Sequence, residues 1–238
     1  MAEKKANVHS GHRKRVREKF LRDGIDSFEE HQVLEFLLFY AIPYKDTNEL
    51  AHRLLDRYRS LAGVCEAPID ELMREFGLTE TAAVLLKLVP DLSRRYMDSR
   101  FSVGTEIELE TMGDVMKPKF IGRIEEVVVL ALGNARGKLI FLDVVAKGSL
   151  NSTDVPIRRI VDIAIRHNAK SAFIAHNHPG GSLLPSGDDL EATRLIANTL
   201  ASVGVKLIDH FIFADEHYVS LARHDVCSDV LYNYYDVV

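Results

Sequence analysis

One stretch constrains this chain more than any other: Ala175-His176-Asn177-His178-Pro179-Gly180-Gly181-Ser182, continuing into Leu183-Leu184-Pro185-Ser186-Gly187-Asp188-Asp189. It follows the apolar run Ala172-Phe173-Ile174, which reads as a buried strand. In an extended segment side chains at i and i+2 share a face, so His176 and His178 project together while Asn177 points away. The Pro-Gly-Gly and Leu-Pro-Ser-Gly segments are turn chemistry, and Ser186 stands three residues before Asp189, the spacing of a capping box at a helix start. Asp189 therefore sits in the first turn of a helix, and a loop that folds back brings its carboxylate to the two imidazoles. Two histidines and one carboxylate, with a fourth position left to water, is the donor set of a catalytic zinc site. Structural sites usually close with four protein ligands.

At 238 residues the chain can hold one large domain or two modest ones. Its net charge of -5, with 47% hydrophobic and 27% charged residues, excludes a polycation built to coat nucleic acid or an anionic membrane, so any such contact has to be local. The two cysteines, Cys65 and Cys227, are far apart and form no paired motif, which suits a reducing cytosol rather than a disulfide framework. No apolar run approaches the roughly 18 residues of a membrane-spanning helix, and the first residues lack the apolar core of a signal peptide. The expectation is a soluble cytoplasmic protein without membrane contact.

Taken in order, residues 1 to 22 carry a basic cluster that includes Arg13, Lys14, Arg15 and Arg17. It reads either as a solvated helix face or as a contact for DNA phosphates. From Ser27 to about Ser99 the apolar spacing is helical: Val33, Leu34, Leu37, Leu38 and Ala41 end at Pro43, and Leu50, Leu54, Leu55 and Tyr58 resume the period. The turn Phe76-Gly77-Leu78-Thr79-Glu80 resembles a degenerate helix-hairpin-helix module, with Thr79 where a second glycine would stand. Such turns aim backbone N–H groups at DNA phosphates. Composition shifts near Phe101, which sets the expected boundary between a helical bundle over residues 1–100 and a second domain over 101–238. There the spacing predicts a hairpin, Glu126–Leu132 and Lys138–Val145 joined at Gly133–Gly137. A helix from Val155-Pro156 with Ile157, Ile160, Val161, Ala164 and Ile165 on one face comes next. The strand bearing the histidines follows, then a helix with the stripe Leu195, Ile196, Thr199, Leu200 and Val203, then strands at Val205–Phe213 and Tyr218–Leu221. The order strand, strand, helix, strand, helix, strand, strand implies an α/β sandwich on a mixed sheet. The tail carries Tyr232, Tyr234 and Tyr235, which pack back on the domain or meet another chain.

His176-x-His178, Ser186 and Asp189 at this spacing resemble the JAMM motif of the MPN/JAB metallopeptidases, and His176-Asn177-His178-Pro179 with the later Asp209-His210 is similar to the RadC family in particular. The resemblance covers both halves, since RadC-like proteins place a degenerate helix-hairpin-helix bundle before the JAMM domain. It implies an MPN/JAB-like, cytidine-deaminase-like mixed-sheet sandwich after an all-α bundle. It implies one zinc per chain on His176, His178 and Asp189, the metal bringing the ionisation of a bound water to about pH 7. Ser186 would hold an oxyanion, with a plain helix cap as its other reading. The water-orienting glutamate of the family falls on Asp143, five residues before Gly148. Its carboxylate reaches roughly 1.5 Å less far, against the 2.6–3.2 Å, or about that, which a general base requires. Glu125 and Glu126 lie on the neighbouring strand, but their register is not legible in the sequence. Asp209 and His210 read as a satisfied structural pair or as a contact behind the metal ligands. The implied function is a zinc-dependent metallohydrolase acting on a peptide or isopeptide bond of a protein substrate. The alternatives are a DNA-repair-associated DNA-binding module and a metal-binding scaffold whose chemistry the shortened Asp143 has removed.

Overall fold

Leucines and alanines at helical spacing, punctuated by short polar turns, build the first part of the chain. The computed structural model describes residues 8–43, 45–100, 104, 106, 111–148, 157–224, 226, 227, 229 and 231. Helices α1 (Val8–Asp23), α2 (Glu30–Leu38), α3 (Asn48–Tyr58), α4 (Leu61–Glu66), α5 (Ile69–Phe76) and α6 (Glu80–Arg100) follow one another. A capping box between Glu29 and Gln32 starts α2, which ends ahead of Pro43, and the Asp46 carboxylate accepts the Asn48 N–H where α3 begins. Ser60 caps α4 by accepting the Gly63 N–H at 3.0 Å. Gly77 closes α5 in the left-handed region, φ 65°, where a Cβ would be strained. Leu34, Leu38, Ala51, Leu54, Val64, Leu72, Ala82 and Leu86 form the core of this bundle.

The chain divides into two compact units, Met1–Leu92 and Ser93–Val238, the division falling inside α6. The boundary expected at Phe101 lies outside the described residues, as do the helix start at Val155-Pro156 and the tyrosine-bearing tail.

The second unit contains α7 (Met112–Met116), β1 (Val127–Gly133), β2 (Leu139–Lys147), α8 (Ile157–Arg166), β3 (Ser171–Asn177), α9 (Gly187–Ser202), β4 (Lys206–Ala214) and β5 (His217–Ser220). The strands form one five-stranded sheet in the order β2-β1-β3-β4-β5. Only β3 and β4 run parallel, because a helix, α9, carries the chain from the end of one back to the start of the other. This is the mixed α/β architecture expected from the sequence. β1 is buried along its whole length, which explains its unbroken run of Val, Leu and Ala. Val128, Leu130, Leu132, Ala172, Ile174 and Ile212 face α8 and α9, packing with Ile160, Ala164, Ile196 and Leu200. Val129, Ala131, Phe173, Phe211 and Phe213 face the other way, onto Met112 and Met116.

Two predicted helix faces need correction. On α8, Ile165 is 57% exposed, while Ile160 and Ala164 are buried. On α9 the buried face is Asp189, Thr193, Ile196, Ala197 and Leu200, and Leu195 is 53% exposed. The α9 stripe was misread because its first two inward positions are polar, which apolar periodicity rejects; both are used by the site below. Cys65 and Cys227 are buried free thiols, and burial pushes the Cys65 thiol up to about 11, leaving it a core residue rather than a nucleophile. Among the described residues no helix is long and apolar enough to cross a membrane.

Candidate metal centre

Strand β3 delivers both histidines. His176 is fully buried near the strand's end, and the His178 N–H donates to the Phe213 carbonyl at 2.8 Å, so the extended conformation persists past the strand. Asn177, on the opposite face, clamps β3 to β1: its Oδ1 accepts the Val127 N–H at 2.8 Å and its Nδ2 donates to the Glu125 carbonyl at 3.1 Å. The loop then turns back at Gly181, φ 79°, whose N–H donates to the His178 carbonyl. That return sets the Ser182 carbonyl 2.7 Å from His178 Nδ1. A carbonyl only accepts, so the His178 proton sits on Nδ1 and its Nε2 presents a lone pair. Ser186 caps α9 in the expected capping box with Asp189: its Oγ accepts the Asp189 N–H at 3.1 Å, and its own N–H and hydroxyl both donate to Asp189 Oδ2 at 2.7 Å.

Three ligand side chains converge as a result. His176 Nε2 and His178 Nε2 are 2.8 Å apart, His176 Nε2 is 3.2 Å from Asp189 Oδ1, and His178 Nε2 is 3.5 Å from Asp189 Oδ2. Zinc bonds of 2.0–2.1 Å in a tetrahedron require ligand separations of about 3.3 Å, so separations of this order between two imidazoles and a carboxylate suit a zinc-sized ion in both size and donor chemistry. Asp189 is 2% exposed. Burial pushes its carboxyl up, but the hydrogen bonds it accepts, the two Ser186 donors among them, outweigh that and hold it well below the usual carboxylate range. The site thus keeps an anion ready at any ordinary pH. The side chain of His178 is 18% exposed, and it is the ligand nearest to solvent.

The family model described as RadC-like JAB domain matches residues 108–226. A UPF0758 protein of Fusobacterium nucleatum is 35% identical over 221 residues, which cover 89% of this chain and 95% of that protein. UPF0758 proteins of Cupriavidus pinatubonensis and a Geobacillus species are 30% and 32% identical, each over 92% of its own length and over 88% and 87% of this chain. The chain belongs to the RadC-like JAB domain family.

In this RadC-like domain Asp143 lies away from the three ligands. It sits on the edge strand β2 opposite Leu130, whereas His176 is opposite Val128 across β1. Two strand spacings of about 4.8 Å and two residues of about 3.4 Å put its backbone roughly 12 Å from that of His176. Its side chain is 65% exposed, accepts the Val144 N–H at 2.8 Å and lies 3.5 Å from the buried Lys119 ammonium, which also pairs with Asp98 at 3.2 Å. A register shift between Val128 and Val129 separates the β2 level of Asp143 from that of the metal ligands. Glu126 lies one residue before β1, whose Val128 pairs with His176, so it enters the sheet close to the end of β3 that carries the ligands. Glu126 is half-buried, while Glu125 is exposed.

His210 is fully buried in β4, on the face of His176, and its Nε2 lies 2.8 Å from His176 Nδ1. Its other nitrogen is 2.6 Å from the hydroxyl of Thr193. Burial and the neighbouring His176 together push His210 well below its ordinary value, so it is neutral. Asp209 is not its ring partner. Consecutive strand residues point to opposite faces, and the Asp209 carboxylate is taken by the Ser220 hydroxyl and by the N–H groups of His210 and Ala222. Thr193 escaped the sequence reading altogether; its only signal is a helical spacing of four from Asp189.

In the first unit the Arg13 guanidinium donates to the carbonyls of Phe39 (3.1 Å), Ile42 (2.6 Å) and Lys45 (2.6 Å) and lies over the Phe39 ring. Its donors serve the end of α2. Lys14, Arg15 and Arg17 are exposed.

Proposed function

We propose that this chain is a zinc-dependent hydrolase of an amide bond, peptide or isopeptide, with His176, His178 and Asp189 as metal ligands and Glu126 as general base. The observation that carries the reading is the convergence of two histidine Nε2 atoms, 2.8 Å apart, on the buried Asp189 carboxylate, whose Oδ1 lies 3.2 Å from His176 and whose Oδ2 lies 3.5 Å from His178. When bound, zinc supplies Lewis acidity and brings the ionisation of water towards neutrality. Glu126 takes a proton from the attacking water and returns it to the departing nitrogen, the role originally expected of Asp143. Ser186 fixes the Asp189 carboxylate and caps α9. Its hydroxyl proton is committed to that carboxylate, so an oxyanion contact requires it to turn.

Elemental analysis of the zinc-reconstituted protein should find one zinc per chain, lost in His176→Ala. Glu126→Gln should keep the zinc and lower turnover of peptide and isopeptide substrates by about 10²- to 10⁴-fold, while Asp143→Asn leaves it near wild type. Wild-type protein that takes up no zinc refutes the reading. One zinc per chain without turnover of any amide substrate would assign the site to a scaffold.

A second reading, DNA contact through α1, draws on the exposed Lys14, Arg15 and Arg17. Neutralising all three should lower the slope of log affinity against log salt by about 2.7. Binding indifferent to salt would reject it.

A further inference from the structure

We infer that His210 and Thr193 are positioning residues that set the tautomer of His176, through a one-way hydrogen-bond relay ending on the backbone of the third ligand, Asp189. The inference rests on the metal-site reading above. It begins at the far end. Thr193 Oγ1 is 2.5 Å from the Asp189 carbonyl, which can only accept, so the single hydroxyl proton goes there. Thr193 then has only lone pairs to offer His210 Nδ1 at 2.6 Å, and His210 must donate. Fully buried, with Thr193 and His176 as the partners of its two ring nitrogens, His210 has no carboxylate to hold a second proton and carries one N–H, so its Nε2 is bare and accepts from His176 Nδ1 at 2.8 Å. That places the His176 proton on Nδ1 and leaves Nε2 as a lone pair aimed at His178 Nε2 and Asp189 Oδ1.

The reverse relay would require Thr193 to give its proton to His210, which abandons the Asp189 carbonyl and puts a proton on the ligating nitrogen of His176. Thr193, His210 and His176 are all fully buried, so water cannot substitute for a missing partner. The Ser182 carbonyl does the same for His178. With a cation at the centre both histidines present bare Nε2 atoms to it, and the relay and the Ser182 carbonyl hold them in that tautomer. Because Asp189 is the third ligand and also the anchor of the relay, the ligands are oriented as one unit.

Thr193→Val keeps the branched shape and removes the hydroxyl, and Thr193→Ser keeps the hydroxyl. Zinc affinity, measured by competition with a chromophoric chelator, should fall about 10- to 100-fold in Thr193→Val and stay close to wild type in Thr193→Ser. Melting of the metal-free proteins checks that each variant is folded. Two-bond ¹⁵N–¹H correlations of the histidine rings read the tautomers directly in the wild-type protein, with and without zinc, and should show His210 and His176 each protonated on Nδ1 in the zinc-loaded form. Wild-type affinity in Thr193→Val, or a His210 proton on Nε2 in the loaded protein, overturns the relay alone. Wild-type protein that binds no zinc overturns the relay and the metal site together.

Discussion

Zinc should stabilise the second unit by an amount that removal of one ligand abolishes. The three ligand separations each lie within about 0.5 Å of the 3.3 Å or so required by a tetrahedral zinc site, so binding needs side-chain adjustment and no backbone rearrangement. Almost all of the binding energy then appears as folding stability. With free zinc buffered at about 100 times its Kd, linkage gives about 2.7 kcal/mol. A unit of the size of Ser93–Val238 moves by roughly 2–4 °C per kcal/mol, so its melting midpoint should rise by roughly 5–11 °C. His178→Ala is the informative variant, because His178 is the most exposed ligand and its truncation disturbs the buried core least. Calorimetric melts of wild type and His178→Ala, each in a zinc buffer and in excess chelator, should show the rise in wild type only. An equal rise in both proteins would mean that zinc binds elsewhere, and no rise in wild type would remove the basis for a metal centre.

Three further perturbations test the surrounding structure. Ser186→Ala removes a helix cap worth about 1 kcal/mol and a hydrogen bond to a buried charge worth about 1.5–3, so the metal-free protein should lose roughly 2–4 kcal/mol in urea unfolding; a loss under about 0.5 contradicts the capping geometry. The chelator-treated protein should also weaken in acid. His210 is held below its ordinary 6.5 by burial, so the unfolded chain binds the extra proton; its contribution is whole above pH 6.5 and falls below it by up to about 1.4 kcal/mol per pH unit. Asp189, depressed from 3.8, adds a second fall below pH 3.8, whereas Asp209, raised by burial, partly opposes the decline above pH 3.8. A flat stability profile between pH 7 and 5 would show that His210 is not buried neutral. Gly113→Ala would set a Cβ 2.3 Å from a Tyr218 ring carbon, and should cost about 1–3 kcal/mol by thermal or urea melting.

Sequence alone determined whatever depends on neighbours along the chain. The i, i+2 alternation put His176 and His178 on one face, the Ser186–Asp189 spacing built the capping box that aims the third ligand, and turn residues placed the loop between them. The buried runs of β1 and β3 and the crossover through α9 implied a mixed sheet for the same local reasons. Tertiary structure alone decided the partners that come from other strands. The register of β1 on β3 sets Val128 opposite His176, with Glu126 just ahead of it, and the shifted register of β2 on β1 sets Asp143 opposite Leu130, within reach of Lys119; one residue of slippage, invisible in composition, reverses such assignments. His210 reaches His176 because β4 lies parallel to β3, and Thr193 joins them because α9 turns its polar first positions inward, against the apolar stripe its sequence suggests. Arg13, which in sequence reads as part of a solvated face or a phosphate contact, gives its donors to carbonyls at and beyond the end of α2. Local geometry thus chose the metal ligands, and sheet register, a long-range property, chose the groups that orient them.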